Sequence, residues 1–196
     1  MRMPLLPLAA LALSACVGNV RTTEVASFDL GTAAVVWQPT SVRLHRVEAQ
    51  APSWLAATAI QYRLLYADAM RRQAYAESRW AAQPAELIAR ALNRQTAATT
   101  GGCRLSLELD ELAQVFDSPQ QSRVLLDVRA SLVAPRGNEV LARKAFSLVR
   151  PAPSADARGG VAATAAAVRA LGGELGAWLA QTARENPAAA ERCRGD

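Results

Sequence analysis

An α+β fold, a mainly antiparallel sheet of about six strands with two helices packed on one face, follows from three observations on this 196-residue chain. Several segments between Ile60 and Leu132 alternate apolar and polar residues with period two, as strands with one buried face do. Two others, after Pro84 and after Gly160, repeat apolar residues at three- and four-residue spacing, as helices with one buried stripe do. Breaker-rich turns separate the later strands closely enough for an antiparallel meander.

Taken in order, the chain opens with Arg2, an apolar run from Pro4 to Leu13, and small residues before Cys16, the pattern of an export signal. The run is too short to span a bilayer, which needs roughly 20 apolar residues. Residues 1–15 are therefore set aside as a signal peptide. Leu13-Ser14-Ala15-Cys16 resembles a bacterial lipobox, which implies cleavage before Cys16, diacylglycerol on its sulfur and acylation of the new amino terminus. An ordinary secretory signal or a short buried helix is the plainer alternative. Residues 16–27 then read as lipidated cysteine and tether, and residues 28–196 as a single domain, long enough to bury one core and too short for two. Val17 is not the aspartate that retains lipoproteins in the inner membrane of enteric bacteria, so the resemblance to that sorting rule implies the outer membrane, periplasmic face.

Phe28 to Gly31 and Ala33 to Trp37 are short apolar segments, and Val42 to Ala49 is a poorly alternating strand. Ile60, Tyr62, Leu64 and Tyr66 share one face of a central strand. The polar run from Asp68 to Gln73 reads as a turn, and Ala74 to Trp80 extends again. Pro84 suits a first helical position. Leu87, Ile88, Ala91 and Leu92 form the stripe of a helix running to about Thr99 and stopped by Gly101 and Gly102. Cys103, Leu105, Leu107 and Leu109 alternate strictly with Arg104, Ser106, Glu108 and Asp110. Leu112 and Phe116 fall out of phase, and one extra residue near Asp110 or Glu111 restores the face, predicting a β-bulge. A turn at Asp117 to Gln121 leads to a core face of Val124, Leu126, Val128, Ala130 and Leu132. Pro135 to Asn138 closes a hairpin onto a strand from Glu139 to Val149. Beyond the breaker-rich stretch from Pro151 to Gly160, Val161, Ala165, Val168, Leu171, Leu175, Trp178 and Leu179 mark a long amphipathic helix, interrupted by Gly172 and Gly173, which either permit close packing on the sheet or leave the helix irregular.

Lys and Arg total 22 against 17 Asp and Glu, a formal charge of +5. The arginines are scattered among carboxylates, so the basic stripe of a nucleic-acid binder is missing, while a modest preference for anionic lipid head groups stays open. No glycine-rich phosphate loop, metal-ligand spacing or nucleophile elbow is present, and no cofactor is implied. His45 stands alone between Arg43 and Arg46, and Glu108 with Asp110 reads as ordinary surface charge. The chain reads as non-enzymatic.

The run Pro52-Ser53-Trp54-Leu55, followed by Tyr62-Arg63-Leu64, Tyr75, Ser78-Arg79-Trp80 and Pro84-Ala85-Glu86-Leu87, resembles the ABC-type transport auxiliary lipoproteins, the group that includes the lipoprotein subunit of the paraquat-inducible (Pqi) system. The resemblance extends more weakly to the Cys103–Leu109 strand and the alanine-rich final helix. It implies a non-catalytic subunit of an ABC-type or Pqi-type intermembrane lipid transport system, held by its lipid anchor and docking onto a mammalian-cell-entry (MCE) domain protein. The alternative is a periplasmic lipid carrier, which needs an apolar cavity between sheet and helices. Homo-oligomerisation is left open. Arg63, Arg79 and Trp80 are the candidate partner-binding residues, although Trp54, Tyr62, Tyr66 and Trp80 read first as packing residues. Once Cys16 is lipidated, Cys103 and Cys193 remain in a compartment that favours oxidised pairs. A disulfide between them would pin a polar tail that otherwise frays, and two free thiols are the competing reading.

Overall fold

The computed structural model describes residues 24–32, 42–94 and 101–194. The strands are β1 (Ala26–Phe28), β2 (Leu44–Gln50), β3 (Ala59–Leu64), β4 (Asp68–Trp80), β5 (Cys103–Ser118), β6 (Gln121–Val133) and β7 (Val140–Pro151). The helices are α1 (Pro84–Asn93), α2 (Ala157–Glu185) and α3 (Pro187–Arg192), with a short 3-10 turn at Ser53–Leu55. β1 begins inside the segment read as tether, and the apolar segment at 33–37 lies outside the described residues.

β5, 16 residues long, is the axis of the sheet. Along one edge it carries β6, and β7 follows, giving the expected antiparallel meander. The other edge is shared: β2 pairs with its first half, from Leu44 beside Cys103 to Gln50 beside Glu108, and β3 with its second, from Tyr62 beside Gln114 to Leu64 beside Phe116. Both pairings are parallel. β4 returns antiparallel to β3, and β1 lies parallel to β4 at the far edge. Among the described residues the sheet thus has seven strands and is mixed, where about six mainly antiparallel strands were expected. The 3-10 turn between β2 and β3 does not reverse the chain, so both run the same way along β5. Alternation of side chains is the same in parallel and antiparallel strands, so the period-two signal could not distinguish them.

The bulge falls where the phase predicts. Leu109 pairs with Val128 and Glu111 with Asp127, leaving Asp110 as the extra residue. Leu105, Leu107, Leu109 and Leu112 therefore all face the core, with Val124, Leu126, Val128, Ala130 and Leu132 of β6 and Phe146 and Leu148 of β7. Over them lie Leu87, Ile88, Ala91 and Leu92 of α1 and Val168, Leu171, Leu175 and Leu179 of α2. Each such leucine, removed from water, contributes about 1.5–3 kcal/mol. Trp178 meets Phe146 edge-to-face with ring centroids 5.9 Å apart.

The proposed turn at Asp68 to Gln73 is strand. The turn is Leu65–Ala67, and the polar side chains of Arg71, Arg72 and Gln73 belong to an open stretch of β4. α1 ends at Asn93, short of Thr99, and residues 95–100 lie outside the described residues. The Asn93 side chain explains its position: Nδ2 donates to the Val47 carbonyl at 2.7 Å and Oδ1 accepts from the Val47 N–H at 2.9 Å, so the helix end covers the outer edge of β2.

α2 starts at Ala157, inside the stretch read as a connection. Asp156 is its N-cap and accepts from the Gly159 N–H at 2.8 Å, while the Ser154 hydroxyl donates to the same carboxylate oxygen. The Gly159 N–H bond, then the Ser154 bond, hold the Asp156 carboxyl below its ordinary range. Gly160 lets the first turn close on buried Gln114, whose Oε1 would lie 2.1 Å from an added Cβ. Gln114 in turn donates to Ser122 Oγ and the Asp156 carbonyl and accepts from the Tyr75 hydroxyl, so that corner is fully hydrogen-bonded. Burial, then Tyr62, then Asp156 push the Tyr75 phenol above its ordinary range. The helix runs unbroken through Gly172, which is buried, and Gly173, which faces open space. After Asn186 the chain turns into α3 rather than fraying, so helices number three among the described residues, where two were expected.

Candidate docking surface

The aromatic-arginine stretch is divided between core and surface. Trp80, the last residue of β4, is 4% exposed and packs among Leu30, Pro84, Leu87 and Ile88. It is a core residue, and this corrects its assignment as a docking residue: the end of β4 turns it under α1. Arg63 is half-buried on the sheet face away from the helices. It donates to the carbonyls of Ala69 and Met70, each at 3.3 Å, and to Glu111 Oε2 at 3.4 Å. Arg72 reaches the same Glu111 at 2.6 Å and donates to Gln61 Oε1 at 2.7 Å. Arg63 thus clamps the β3–β4 hairpin from within the domain. Arg79 is exposed on β4 opposite Ser27 of β1. Trp54, on the 3-10 turn, is 55% exposed, and its carbonyl accepts from Gln61 Nε2. Arg79 and Trp54 are the exposed arginine and tryptophan of the motif.

Tyr62 is half-buried, 4.7 Å from the Tyr75 ring and 5.8 Å from that of Phe116, and its hydroxyl donates to Gln73. Tyr66 does not continue the β3 face. It sits in the hairpin turn, where Leu65 and Tyr66 are 39% and 49% exposed, and Met70, just inside β4, is 88% exposed. This apolar tip is the surface feature that the sequence reading missed, because the polar residues after it were taken for the turn. Met70 within that supposed polar turn was the available signal.

The face of β5 and β6 away from the helices carries alternating charge. Asp110 accepts two bonds from Arg129, at 2.7 and 2.8 Å, and Glu108 lies 3.1 Å from the same guanidinium. The Arg129 hydrogen bond holds the Asp110 carboxyl below its ordinary range. The two carboxylates, two residues apart, are thus partners of one exposed arginine, an arrangement worth little to stability. His45 is the exposed, bulged residue of β2. Among the described residues, no three His, Cys, Asp or Glu side chains converge as metal ligands, and no helix is long and apolar enough to cross a membrane.

Cys103 and Cys193 form a disulfide, with S–S 1.99 Å and Cα atoms 4.8 Å apart, both fully buried. It joins the first residue of β5 to the residue that caps α3. Exposed Arg192, next to Cys193, is bidentate with Glu139 at 2.6 and 2.7 Å and ties α3 to the β6–β7 hairpin. Cys16 lies outside the described residues.

In the space between sheet and helices bounded by Leu30, Trp80, Leu87, Ile88, Leu112 and Thr164 there is no room for a water molecule. A further hollow of about 10 Å³ lies between sheet and α2 among Ile60, Gln114, Val124 and Gly160, and a larger one on the surface is edged by Phe28, Leu30, Val161 and Ala165.

Two crystal structures share this architecture. Protein XCC0632 from Xanthomonas campestris, of the DUF330 family, is 16% identical and superposes with a TM-score of 0.70 over 84% of this chain and 99% of its own. An uncharacterized protein, 11% identical, superposes with a TM-score of 0.62 over 80% of this chain and 99% of its own. At such identities the likeness speaks to the fold. No curated protein matches the sequence. The sequence model of the ABC-type transport auxiliary lipoprotein components matches residues 31–176, which hold β2 to β7, α1, and α2 through Gly176. With that match over most of the described domain, the chain belongs to the family of ABC-type transport auxiliary lipoprotein components.

Proposed function

We infer that this protein is a non-catalytic docking adaptor, fixed through lipidated Cys16 to the periplasmic face of the outer membrane, for an ABC-type or Pqi-type intermembrane lipid transport system. The family match carries the reading. The lipobox before Cys16 and the valine after it support the anchor and its membrane. The partner is an MCE-domain protein of the conduit, whose periplasmic end the domain receives, and energy comes from a membrane component elsewhere. The core between Trp80, α1 and β5, too tight for water, favours an adaptor over a lipid carrier, because a carrier needs a cavity several hundred Å³ in size. Within the aromatic-arginine motif, exposed Arg79 and Trp54 offer the contact, with the guanidinium and indole types that recur at interface hot spots.

Cys16→Ala is expected to abolish incorporation of labelled fatty acid and to move the protein from the membrane fraction to the soluble periplasm. Wild-type protein that takes up no acyl label would end the lipoprotein reading. With the anchor intact, Arg79→Ala and Trp54→Ala together are expected to lower recovery of the MCE-domain partner about tenfold, with thermal unfolding unchanged because neither side chain supports the core. Recovery equal to wild type removes the motif as the contact. Phospholipid extracted in stoichiometric amount from Cys16→Ala protein purified without delipidation would favour the carrier.

A further inference from the structure

The β3–β4 hairpin tip presents three exposed apolar side chains, Leu65, Tyr66 and Met70, on a backbone that is held rather than loose. The Ala67 N–H donates to the Leu64 carbonyl, and the Leu65 N–H to the Phe116 carbonyl. Asp68, the only carboxylate between Leu65 and Arg71, accepts from the Met70 N–H at 3.0 Å. Arg63 occupies the carbonyls of Ala69 and Met70 from inside. With the Leu65, Ala67 and Met70 N–H groups and the Leu64, Ala69 and Met70 carbonyls already bonded, the tip can approach the boundary between head groups and acyl chains at reduced cost, because backbone groups left unpaired become costly as water thins out. Tyrosine suits that boundary through its apolar ring and polar tip. Exposed Arg71, next in sequence, adds attraction for an anionic head group.

The chain outside the described residues brings the bilayer within reach. Ala26 pairs with Ser78, ten residues along β4 from Asp68, so the tip lies about 33 Å from where β1 begins. Cys16 is likewise ten residues before Ala26 and spans at most about 33–36 Å. Even with β4 upright and the tip downward, an acylated Cys16 reaches the surface that the tip touches. A tethered domain meets that surface at high effective concentration, which adds to the contact that the tip makes on its own.

We propose that the tip formed by Leu65, Tyr66 and Met70 inserts into the surface of an anionic phospholipid bilayer, giving the domain a second membrane contact that fixes its orientation. The tether geometry rests on the lipoprotein reading; the insertion itself does not.

The test uses residues 17–196 without acyl groups, which contain every described element, and flotation with vesicles of phosphatidylethanolamine containing a quarter phosphatidylglycerol. Wild type is expected to float. Tyr66→Asp with Met70→Asp is expected to lower partitioning at least tenfold at unchanged thermal stability, and Arg71→Gln about fivefold on these vesicles, with no change on phosphatidylcholine alone. No flotation of wild type, or equal flotation of the double variant, overturns the proposal. So does a double variant of the lipidated protein that loses cross-linking to a transport protein while wild type ignores vesicles, which would make the tip a protein contact. Because the floated chain carries no acyl group, its failure leaves the Cys16 reading standing, and Cys16→Ala tests that separately.

Discussion

Replacing Cys103 and Cys193 together by alanine is expected to lower stability by about 2–5 kcal/mol, or roughly 5–15 °C in the unfolding temperature. The bond spans 90 residues, and closing a loop of that length removes chain entropy from the unfolded state worth roughly 4–5 kcal/mol at most. The loss should begin at the C-terminus. α3 has only six residues, far too few to persist alone, and it buries Ala189 and Ala190 only while Cys193 holds it against β5. Hydrogen exchange should rise first in α3 and at the start of β5 and leave β6 protected. The direct check is alkylation of the denatured, unreduced protein: no thiol should react until a reductant is added. One labelled thiol per cysteine, or an unfolding temperature indifferent to reductant, would contradict the bond.

Gly159→Ala is expected to destabilise the domain by about 2–4 kcal/mol, combining overpacking with loss of a helix cap. A β-carbon there would lie 1.9 Å from the Ser154 carbonyl oxygen, and a backbone atom cannot swing aside as the end of a side chain can. The loop before α2 must move, and with it the Asp156 carboxylate that caps the helix. Gly173→Ala is the contrast, in the same helix and gaining the same methyl. Its β-carbon meets nothing within 4 Å, so the change should be neutral or stabilising by up to about 1 kcal/mol. Urea midpoints decide between packing and propensity. If both variants shift alike, helix propensity governs and the close approach at Gly159 is immaterial.

What the sequence made legible was local. Strict alternation from Cys103 to Leu109 located β5, and the phase slip beyond it located the bulge at Asp110, because a buried face leaves register little freedom. The stripes of α1 and α2 were equally plain. Direction was not legible: β2 and β3 lie parallel to β5 through pairings more than 50 residues apart in the chain, and nothing in a strand records which way its neighbour runs. The candidate contact residues were harder still. Trp80 and Trp54 belong to one motif, yet one ends beneath a helix and the other on a 3-10 turn in solvent. Arg63, chosen as an outward contact, instead satisfies the carbonyls of its own hairpin, which only the fold of that hairpin reveals.

On the proposed lipoprotein reading, the shared edge of β5 also sets an order of events during export. A chain crossing the inner membrane N-terminus first delivers β2 and β3 to the periplasm some 50 residues before the strand that both must pair with. β3 can meanwhile close a hairpin with β4, but β2 has no local partner, and its edge waits in water. Pairings of such long separation form slowly, and the waiting edge is where association between chains begins. A periplasmic holdase is therefore expected to engage the segment around β2 during translocation and to let go once β5 arrives, after which the disulfide closes over an already assembled sheet.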